Sequence, residues 1–465
     1  MSIDRIAIPG SLLTLDLLIV SVINWIYWLL ISRLASPAEV GQATSVNSFA
    51  FLATNIALMG LEYTLVKKAS SQRSHILGTT LVIQLIFMII LIPILFYLIN
   101  QLYQGSLYEL SWLGVGIVSF SSLRFVFRFA LLGIYSAKNV LIIDSSGVFL
   151  QLAVGLILVS KGFGAYGILV AFLLNFMFVT LLSFLVARKS FDMYLGSLKN
   201  AKEILEDALV NTPAAFSKTI IYSLSVILLA YLGIDQSEVG IFYIALMVSF
   251  IVGSFAGFLA FMTIPASVSI NKDLSAESNR IGLTVTGPLI VTLIVEPKLV
   301  LSVIGPEYMT AAFTLVVLAV AIFPYILVTN AISSFNSTGR LKQITVIGLF
   351  QILSFLIAFF YLVPNYGTFG AAISILIAYA ASSVPSLIWS SATINFLSRY
   401  ILPILSGILA GYLLRIFFIS NNPLAIILIS VMISLDVSFS LKNTSTTEII
   451  LMGKRMMRKN EPRDI

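Results

Sequence analysis

The sequence predicts an all-α integral membrane protein, and three observations support this fold class. Of the 465 residues, 59% are hydrophobic and only 10% are charged, and the mean hydropathy is +1.04. A soluble domain carries about 25% charged residues, so this chain cannot cover itself with a polar surface. Apolar runs near the ~20 residues of a helical bilayer span follow one another along the chain, whereas membrane β-strands would alternate in segments of about 10 residues.

Fourteen spans are predicted, of which the ninth is short. The first is interpreted as a span rather than a cleavable signal peptide, because it is too long and no small-residue cleavage pattern follows it. In chain order the predicted spans are residues 11–32, 41–65, 76–99, 112–137, 141–160, 165–187, 211–232, 239–264, 282–295, 311–333, 344–363, 369–389, 401–419 and 424–441.

The lysines and arginines predict the orientation of these spans, because cytoplasmic loops are enriched in both residues. Of the 27 Lys and Arg residues, twenty fall on the N-terminal side of the membrane and four inside spans. Only Arg33, Lys161 and Lys298 fall on the other side. This asymmetry predicts an even number of spans with both termini cytoplasmic, in a multi-pass protein of the cell membrane.

The connections between spans exclude several functions. They are too short for a soluble catalytic domain, so no enzyme and no cofactor are predicted. With no cysteine and a single histidine, the chain offers no Cys- or His-based metal site. The longest connection, residues 188–210, predicts an amphipathic helix on the inner membrane surface. The apolar residues at helical spacing are Phe191, Tyr194, Leu195, Leu198, Ala201 and Leu205. The basic C-terminal tail is expected to contact anionic lipid headgroups rather than nucleic acid.

The chain contains an internal repeat. Three pairs of short anchors recur in the same order at offsets of 199, 202 and 203 residues, namely Glu39-Val40-Gly41 with Glu238-Val239-Gly240, Lys138 with Arg340, and residues 163–167 with residues 366–370. The last pair shares the pattern aromatic-Gly-x-aromatic-Gly. Each repeat holds six spans, an even number, so the halves are expected to be related by a pseudo-two-fold axis along the membrane normal.

The repeat predicts four parts of the chain. Residues 1–205 form an N-terminal six-helix bundle that ends in the amphipathic interfacial linker, and residues 206–398 form the C-terminal six-helix bundle. Residues 399–441 supply two additional transmembrane helices outside the repeat. Residues 442–465 form the basic cytoplasmic tail.

Charged residues inside spans are the site candidates, because each costs several kcal/mol to bury unless it is compensated. Arg124 and Arg128 lie in span four, four residues apart and so on one helix face, with Ser121 and Ser122 on adjacent turns. Two guanidinium groups on one face are suited to bidentate hydrogen bonds with a pyrophosphate. The alternative is a structural contact or snorkelling to the cytoplasm, although Arg128 is predicted roughly 14 Å from the inner end of its span.

Other charges are placed in the remaining spans. Lys218 in span seven and Asp16 in span one lie at comparable depths of equivalent helices. They are candidates for a gating ion pair across a cleft, or for a phosphate contact by Lys218 and a coupling-cation contact by Asp16; snorkelling is the alternative for both. Asp144 is interpreted as a residue of the cytoplasmic end of span five. Arg415 and Asp436 differ in depth by roughly 12 Å and are not expected to pair.

Two segments resemble a known family. Residues 31–70, ISRLASPAEVGQATSVNSFAFLATNIALMGLEYTLVKKAS, look like the N-terminal signature of polysaccharide biosynthesis flippases. These include O-antigen-type flippases of the multidrug/oligosaccharidyl-lipid/polysaccharide (MOP) exporter superfamily. Residues 300–312, VLSVIGPEYMTAA, resemble that group's Leu-Gly-x-x-Tyr segment. The resemblance implies two six-helix bundles around a V-shaped cleft that opens alternately to either side, and a substrate with a polyprenyl or dolichyl tail and a pyrophosphate-sugar head.

The leading functional hypothesis is a flippase that moves lipid-linked oligosaccharide or polysaccharide precursors across the membrane by alternating access. Arg124, Arg128 and Lys218 are predicted to bind the anionic headgroup, and Asp16 a coupling H+ or Na+. The expected partners are the lipid-linked sugar, membrane lipids and polysaccharide-assembly proteins. One alternative is a cation-coupled multidrug or small-molecule antiporter of the same superfamily, which would favour an acidic cleft. Another is a membrane-embedded polysaccharide polymerase or ligase, which would need a sizeable external loop.

Overall fold

A computed structural model describes most of the chain, and the described part is helical. It covers residues 4–69, 75–102, 108–192, 194–270, 275–390, 394–417 and 422–441. Within these ranges no strand occurs, and some side chains, including those of residues 213–220 and 258–270, are not described. The predicted basic tail lies outside the described residues.

Fifteen α-helices and one 3-10 turn, Pro306–Ala311, make up the described chain. The helices are α1 Asp4–Leu34, α2 Pro37–Leu58, α3 Leu61–Lys68, α4 Ile76–Leu102, α5 Tyr108–Gly133, α6 Ala137–Ser160, α7 Gly164–Ala187, α8 Leu198–Tyr231, α9 Gln236–Ile270, α10 Ser275–Val295, α11 Pro297–Ser302, α12 Ala312–Ser337, α13 Leu341–Trp389, α14 Ile394–Phe417 and α15 Pro423–Ser440.

These helices reproduce the predicted spans. By length and composition, nine segments of the described residues are apolar enough to cross a membrane, and the 49-residue segment of α13 holds two predicted spans. Shorter apolar segments lie in α8, α14 and α15, and α2 with α3 supplies the second span. The prediction of an all-α membrane protein with about fourteen transmembrane helices is therefore confirmed.

The backbone becomes left-handed inside the second span and again between the eleventh and twelfth spans. Between α2 and α3, Met59 and Gly60 have φ values of 42° and 77°. Inside α13, Gly367 has φ 52° and ψ −134°, which turns the chain between the eleventh and twelfth spans. A glycine adopts such angles without the steric cost that a side chain would impose.

The two halves are packed in equivalent ways. In the first half α1 packs on α6, α5 on α7, and α2 and α4 on α5. In the second half α8 packs on α13, α12 on α13, and α9 and α10 on α12. Each of these pairs joins spans that occupy the same positions in the two six-span repeats. The predicted pair of six-helix bundles is thus present, with α14 and α15 packed against α10 as an addition.

The repeated glycines Gly41 and Gly240 face each other where the halves meet. A Cβ on Gly41 would overlap the carbonyl oxygen of Gln236, and a Cβ on Gly240 would overlap that of Pro37. The obstacle is backbone in both cases, so neither clash can be relieved by turning a side chain. The closest approach of α2 and α9 therefore requires both glycines. The membrane side on which these helices begin is called the Gly41 side, and the opposite one the Lys68 side.

The two repeat motifs also contact each other within each half. A Cβ on Gly164, in the aromatic-glycine motif, would meet the Glu39 carboxylate of the Glu-Val-Gly motif. In the second half, the equivalent Glu238 carboxylate lies 3.8 Å from the Cβ position of Gly367. Glu39 also closes a capping box, because its carboxylate accepts from the backbone N–H of Ser36 at 2.8 Å. The sequence repeat thus marks a pair of partners in each half.

Further contacts join the halves on the Gly41 side. Arg33, in the last turn of α1, donates two N–H groups to the carbonyl of Val303, between α11 and the 3-10 turn. The rings of Trp28 and Tyr243 meet edge to face, with centroids 4.9 Å apart. The halves are consequently in direct contact on this side of the membrane.

The predicted interfacial linker is packed on protein along one face. Ser197 caps the N-terminus of α8, which runs without interruption into span seven. Phe191, Ile204 and Ala208 are buried in a cluster with the ends of α3, α4 and α5 on the Lys68 side. Tyr194 and Leu195, predicted on the same apolar face, are instead 72% and 67% exposed. They precede the helix, so the helical spacing assumed for them does not apply.

We expect Gly240→Ala to destabilise the protein by about 1–3 kcal/mol, the usual cost of forcing extra volume into a close-packed contact. The measurement is thermal unfolding of the purified protein in detergent. Gly257→Ala, on the same helix, is the matched control because its nearest obstacle is the Tyr325 hydroxyl at 3.4 Å. Equal melting temperatures for the two variants would contradict the role assigned to the glycine contact.

Candidate functional site

Four charged side chains form a cluster between α1, α5 and α6. Arg128 of α5 is its centre, because its Nε donates to Asp144 Oδ2 at 2.7 Å and its Nη2 to Asp16 Oδ2 at 2.8 Å. Arg124, one turn earlier on α5, donates from Nη2 to Asp144 Oδ1 at 2.9 Å. Two arginines and two aspartates give a formal charge of zero. This group is called the charge cluster.

The charge cluster is largely withdrawn from solvent. The two arginine side chains are 13% exposed, and those of Asp144 and Asp16 are 3% and 1% exposed. Burying an ion costs several kcal/mol, which mutual attraction offsets only when the geometry is good. Three short charge-assisted bonds provide that geometry.

Aromatic rings surround the arginines. The guanidinium carbon of Arg124 lies 5.6 Å from the ring centroid of Phe125 and 5.5 Å from that of Phe176 on α7. The guanidinium carbon of Arg128 lies 5.8 Å from the ring of Phe129. These rings add cation–π attraction, about 0.5–2 kcal/mol per contact, and fix where the guanidinium planes lie.

Arg128 is shallower than the sequence suggested. The helix α5 ends at Gly133, not near residue 137, so Arg128 is five residues from its end, roughly 8 Å at the helical rise. A side chain at this depth can reach the headgroup region, yet Arg128 turns to the two aspartates instead. Snorkelling is therefore not what holds the arginine here.

Asp144 is the residue that sequence reasoning missed. It was expected at a cytoplasmic helix end, but it is buried and accepts hydrogen bonds from both arginines. The signal lay in the hairpin geometry. A three-residue turn joins α5 and α6. Arg128 is five residues before the end of α5 and Asp144 is seven residues after the start of α6, so the two lie at similar depth on neighbouring helices.

Asp16 finds its partner within its own half. One hypothesis was a gating ion pair between Asp16 and Lys218 across the cleft. In the described residues Asp16 is instead paired with Arg128. Lys218 lies on α8, and its side chain is outside the described part of the structure. Arg415 and Asp436 were not expected to pair, and Arg415 instead approaches Glu296 at 3.9 Å.

The cluster keeps unused hydrogen-bonding capacity. A guanidinium carries five N–H donors, and the three bonds leave most of the ten uncommitted. Among the described residues, Arg124 Nε and Asp16 Oδ1 are buried and have no hydrogen-bond partner, and the fully buried hydroxyl of Ser122 has none either. Ser121, which was grouped with the arginines, bonds Thr54 of α2 at 2.6 Å. Orphaned buried groups of this kind are costly unless a further ligand or water satisfies them.

Uncharged polar residues extend the cluster along α6. Gln151, two turns beyond Asp144, accepts from Asn175 of α7 at 2.7 Å and donates to Asn24 of α1 at 3.3 Å. Polar groups therefore line the α1–α6 contact from the charge cluster toward the middle of the helices. No such row was predicted from the sequence, because amides in spans carry no charge to attract attention.

The second half has amides where the first has charges. The offset of 202 residues that relates Lys138 to Arg340 makes Asn330 the residue of the second half that is equivalent to Arg128. Asn330 accepts from Ser278 at 2.5 Å and donates to Asn279 at 2.7 Å. At this pair of equivalent positions the first half therefore has a charged side chain and the second half an amide.

Comparison with known proteins is informative at the level of structure. No protein-family model matches the sequence, and no curated protein matches it significantly. The structure is similar to the lipid II flippase MurJ in its inward closed conformation, with a TM-score of 0.73 and 14% identity, over 94% of this chain and 99% of that one.

Two further similar structures are described as transporters of the MOP superfamily. A multidrug resistance MATE family transporter of the MOP superfamily, in an inward-facing conformation, matches with a TM-score of 0.64 and 16% identity, over 86% of this chain and 98% of that one. A MOP superfamily transporter from Pyrococcus furiosus, described as having a binding pocket of reverse polarity, gives a TM-score of 0.54 and 16% identity, over 86% and 95%.

The fold of this chain is similar to that of known membrane transport proteins. All three similar structures are transporters, and this chain covers nearly the whole of each. The chain has the fold of the MOP-superfamily transporters. At 14–16% identity the likeness concerns the fold alone.

We expect Asp144→Asn to cost about 3–5 kcal/mol of stability, because it leaves Arg124 without a carboxylate partner in a buried site. Asp16→Asn should cost less, since Arg128 keeps its bond to Asp144. Thermal unfolding in detergent measures both. Asp436→Asn, at an exposed position of α15, is the matched control and should melt like the wild type. Equal melting points for Asp144→Asn and Asp436→Asn would show that the buried pairs contribute nothing.

Proposed function

We propose that this protein is a flippase for lipid-linked oligosaccharide or polysaccharide precursors. The observation that carries the proposal is the pair of arginines on one face of α5, partly exposed and with most N–H donors unused. A pyrophosphate offers several oxygens and two or more negative charges, which suits two adjacent guanidinium forks. The similarity in fold to a lipid II flippase adds support.

Transport requires no covalent chemistry in this proposal. The headgroup binds Arg124 and Arg128 between the halves on the Lys68 side while the polyprenyl or dolichyl tail stays in the bilayer. The halves then rock, so that the Gly41 side opens as the Lys68 side closes. Alternating access of this kind needs two rigid halves that move around a fixed site. Lys218 on α8 is proposed as a further headgroup contact, from the second half.

The proposed orientation places the Lys68 side in the cytoplasm and the protein in the plasma membrane. The distribution of lysines and arginines supports it, since twenty lie on that side and three on the other. The charge cluster then faces the compartment in which lipid-linked precursors with charged headgroups are assembled. Polysaccharide-assembly proteins are the proposed partners.

A second candidate function is a cation-coupled antiporter for drugs or other small molecules. Asp16 and Asp144 are more deeply buried than the arginines, and a carboxylate in a cleft attracts cations. The similarity to a multidrug transporter supports this alternative. The arginines argue against it, because they already neutralise both carboxylates.

Flipping of a fluorescent polyprenyl-pyrophosphate sugar by the reconstituted protein tests the proposal. We expect Arg124→Lys/Arg128→Lys to lower the rate at least about tenfold, because lysine keeps the charge balance but loses the bidentate fork. Arg415→Lys, the same change in another span, should leave the rate unaltered. Arg124→Ala/Arg128→Ala should abolish flipping, provided that it melts as a folded protein.

Three outcomes separate the candidates. Flipping by the wild type that survives both double substitutions would retain the function and remove the arginines from the site. Uptake of organic cations by the wild type, without flipping of any polyprenyl carrier, would favour the antiporter. Flipping that is lowered at least about tenfold in the double lysine variant and abolished in the double alanine variant, with Arg415→Lys active, is the result that the proposal predicts.

The orientation has its own test, because the chain has no cysteine. Ser160→Cys and Asn139→Cys introduce one thiol each at exposed positions at opposite ends of α6. A membrane-impermeant thiol reagent added to intact cells should label Ser160→Cys and leave Asn139→Cys unlabelled, while a permeant reagent labels both. The reverse pattern would invert the proposed topology.

A further inference from the structure

Three tyrosines converge around a small cavity inside the second half. Tyr222 of α8, Tyr325 of α12 and Tyr379 of α13 line it together with Ser249 and Gly253 of α9. The rings of Tyr325 and Tyr379 meet edge to face with centroids 5.3 Å apart, and the centroids of Tyr222 and Tyr379 are 6.4 Å apart. None of the described residues that line the cavity carries a charge. The three side chains are called the tyrosine cluster.

The tyrosine cluster has hydrogen-bonding capacity that the fold does not use. Tyr379 is 2% exposed, and its hydroxyl has no hydrogen-bond partner among the described residues. The Tyr222 side chain lies beside it, but not in the geometry of a hydrogen bond. Buried polar groups normally have a partner. The cavity is therefore suited to a ligand that offers both a hydrogen-bonding group and an apolar surface.

The internal repeat places the tyrosine cluster at the depth of the arginines. The offset of 202 residues makes Tyr325 equivalent to Leu123, the neighbour of Arg124. The offset of 203 residues makes Tyr379 equivalent to Phe176, whose ring contacts the Arg124 guanidinium. Because the axis that relates the halves runs along the membrane normal, equivalent residues lie at the same depth. The charge cluster and the tyrosine cluster are thus at one level of the membrane, in different halves.

Resting on the proposed function, we infer that the tyrosine cluster binds the sugar ring next to the pyrophosphate of the lipid-linked headgroup. The faces of a pyranose carry C–H groups with partial positive charge, which are attracted to the negative face of an aromatic ring. The hydroxyls at its edge bond phenol O–H groups, which both donate and accept. A cavity lined by tyrosines and aliphatic residues suits such a neutral ring better than it suits a phosphate.

The position of the tyrosine cluster is compatible with this assignment. Tyr222 and Ser249 lie on α8 and α9, the helices of the second half that also pack on α2 of the first half. The cavity therefore adjoins the contact between the halves. A headgroup whose phosphates bind Arg124 and Arg128 reaches the second half at the level of the tyrosines.

The tyrosine cluster is closed in this conformation and opens to admit a sugar. Its cavity has room for about one water molecule, which is less than a pyranose needs. Tyr222 and Tyr325 lie on different helices and are only partly buried, so their rings part when the halves move. The sugar then replaces contacts between rings, and one of its hydroxyls becomes the partner that the Tyr379 hydroxyl lacks.

Equilibrium binding to the full-length protein in detergent tests the inference with radiolabelled polyprenyl pyrophosphate and its glucosyl and N-acetylglucosaminyl derivatives. Wild-type affinity should be about tenfold higher for at least one sugar-bearing ligand than for the bare pyrophosphate, as a few new hydrogen bonds allow. This ratio of affinities is called the sugar gain. Tyr379→Phe should lower the sugar gain about threefold or more. It should leave the affinity for polyprenyl pyrophosphate unchanged, because only a hydroxyl is removed.

Tyr308→Phe is the matched control. It also removes a fully buried tyrosine hydroxyl that has no partner among the described residues, but it lies in the 3-10 turn, outside the tyrosine cluster. It should keep the whole sugar gain. Arg124→Lys/Arg128→Lys should weaken the binding of all three ligands by the same factor and also keep the sugar gain. Tyr222→Phe repeats the test if Tyr379→Phe does not melt as a folded protein.

The outcomes separate this inference from the proposed function. A wild type that binds all three pyrophosphates equally, or a sugar gain that survives in folded Tyr379→Phe and Tyr222→Phe proteins, would overturn the inference and leave the flippase proposal intact. A wild type that binds the pyrophosphates no better than the uncharged polyprenol would overturn both.

Discussion

The structure of the first half depends on four charges that are buried together. Arg128 joins α1, α5 and α6 through two aspartates, and Arg124 repeats the bond to Asp144 from the next turn. In a medium of low polarity none of these side chains is tolerable alone, so the three helices are fixed in register by the need to keep them paired. Among the described residues the same pairing leaves donors and one carboxylate oxygen unused, which is why we propose the cluster as a binding site as well as a support.

A second constraint is the close approach of the two halves. Gly41 and Gly240 allow the backbones of α2 and α9 to touch, and they lie at equivalent positions of the repeat. A contact between equivalent residues lies on or near the axis that relates the halves. The charge cluster lies toward the opposite side of the membrane.

Much of this architecture could be predicted from the sequence, because the relevant signals are local. Spans follow from apolar length, the common face of Arg124 and Arg128 from their spacing of four, and the equivalence of Gly41 with Gly240 from the repeat. Contacts between side chains of different helices were harder to predict from the sequence. The partners of Asp16 and the burial of Asp144 depend on how α1, α5 and α6 are rotated against one another, which hydropathy does not report. The apolar face of the linker was misplaced for a similar reason, since Tyr194 and Leu195 lie outside the helix that Ser197 begins.

The most direct test of the account is a structure of the protein determined with polyprenyl pyrophosphate bound. The account predicts phosphate oxygens at hydrogen-bond distance, about 2.7–2.9 Å, from the guanidinium groups of Arg124 and Arg128. It further predicts that both arginines keep their contacts with Asp144. A headgroup bound elsewhere, with both aspartates still on Arg128, would show that the charge cluster is purely structural.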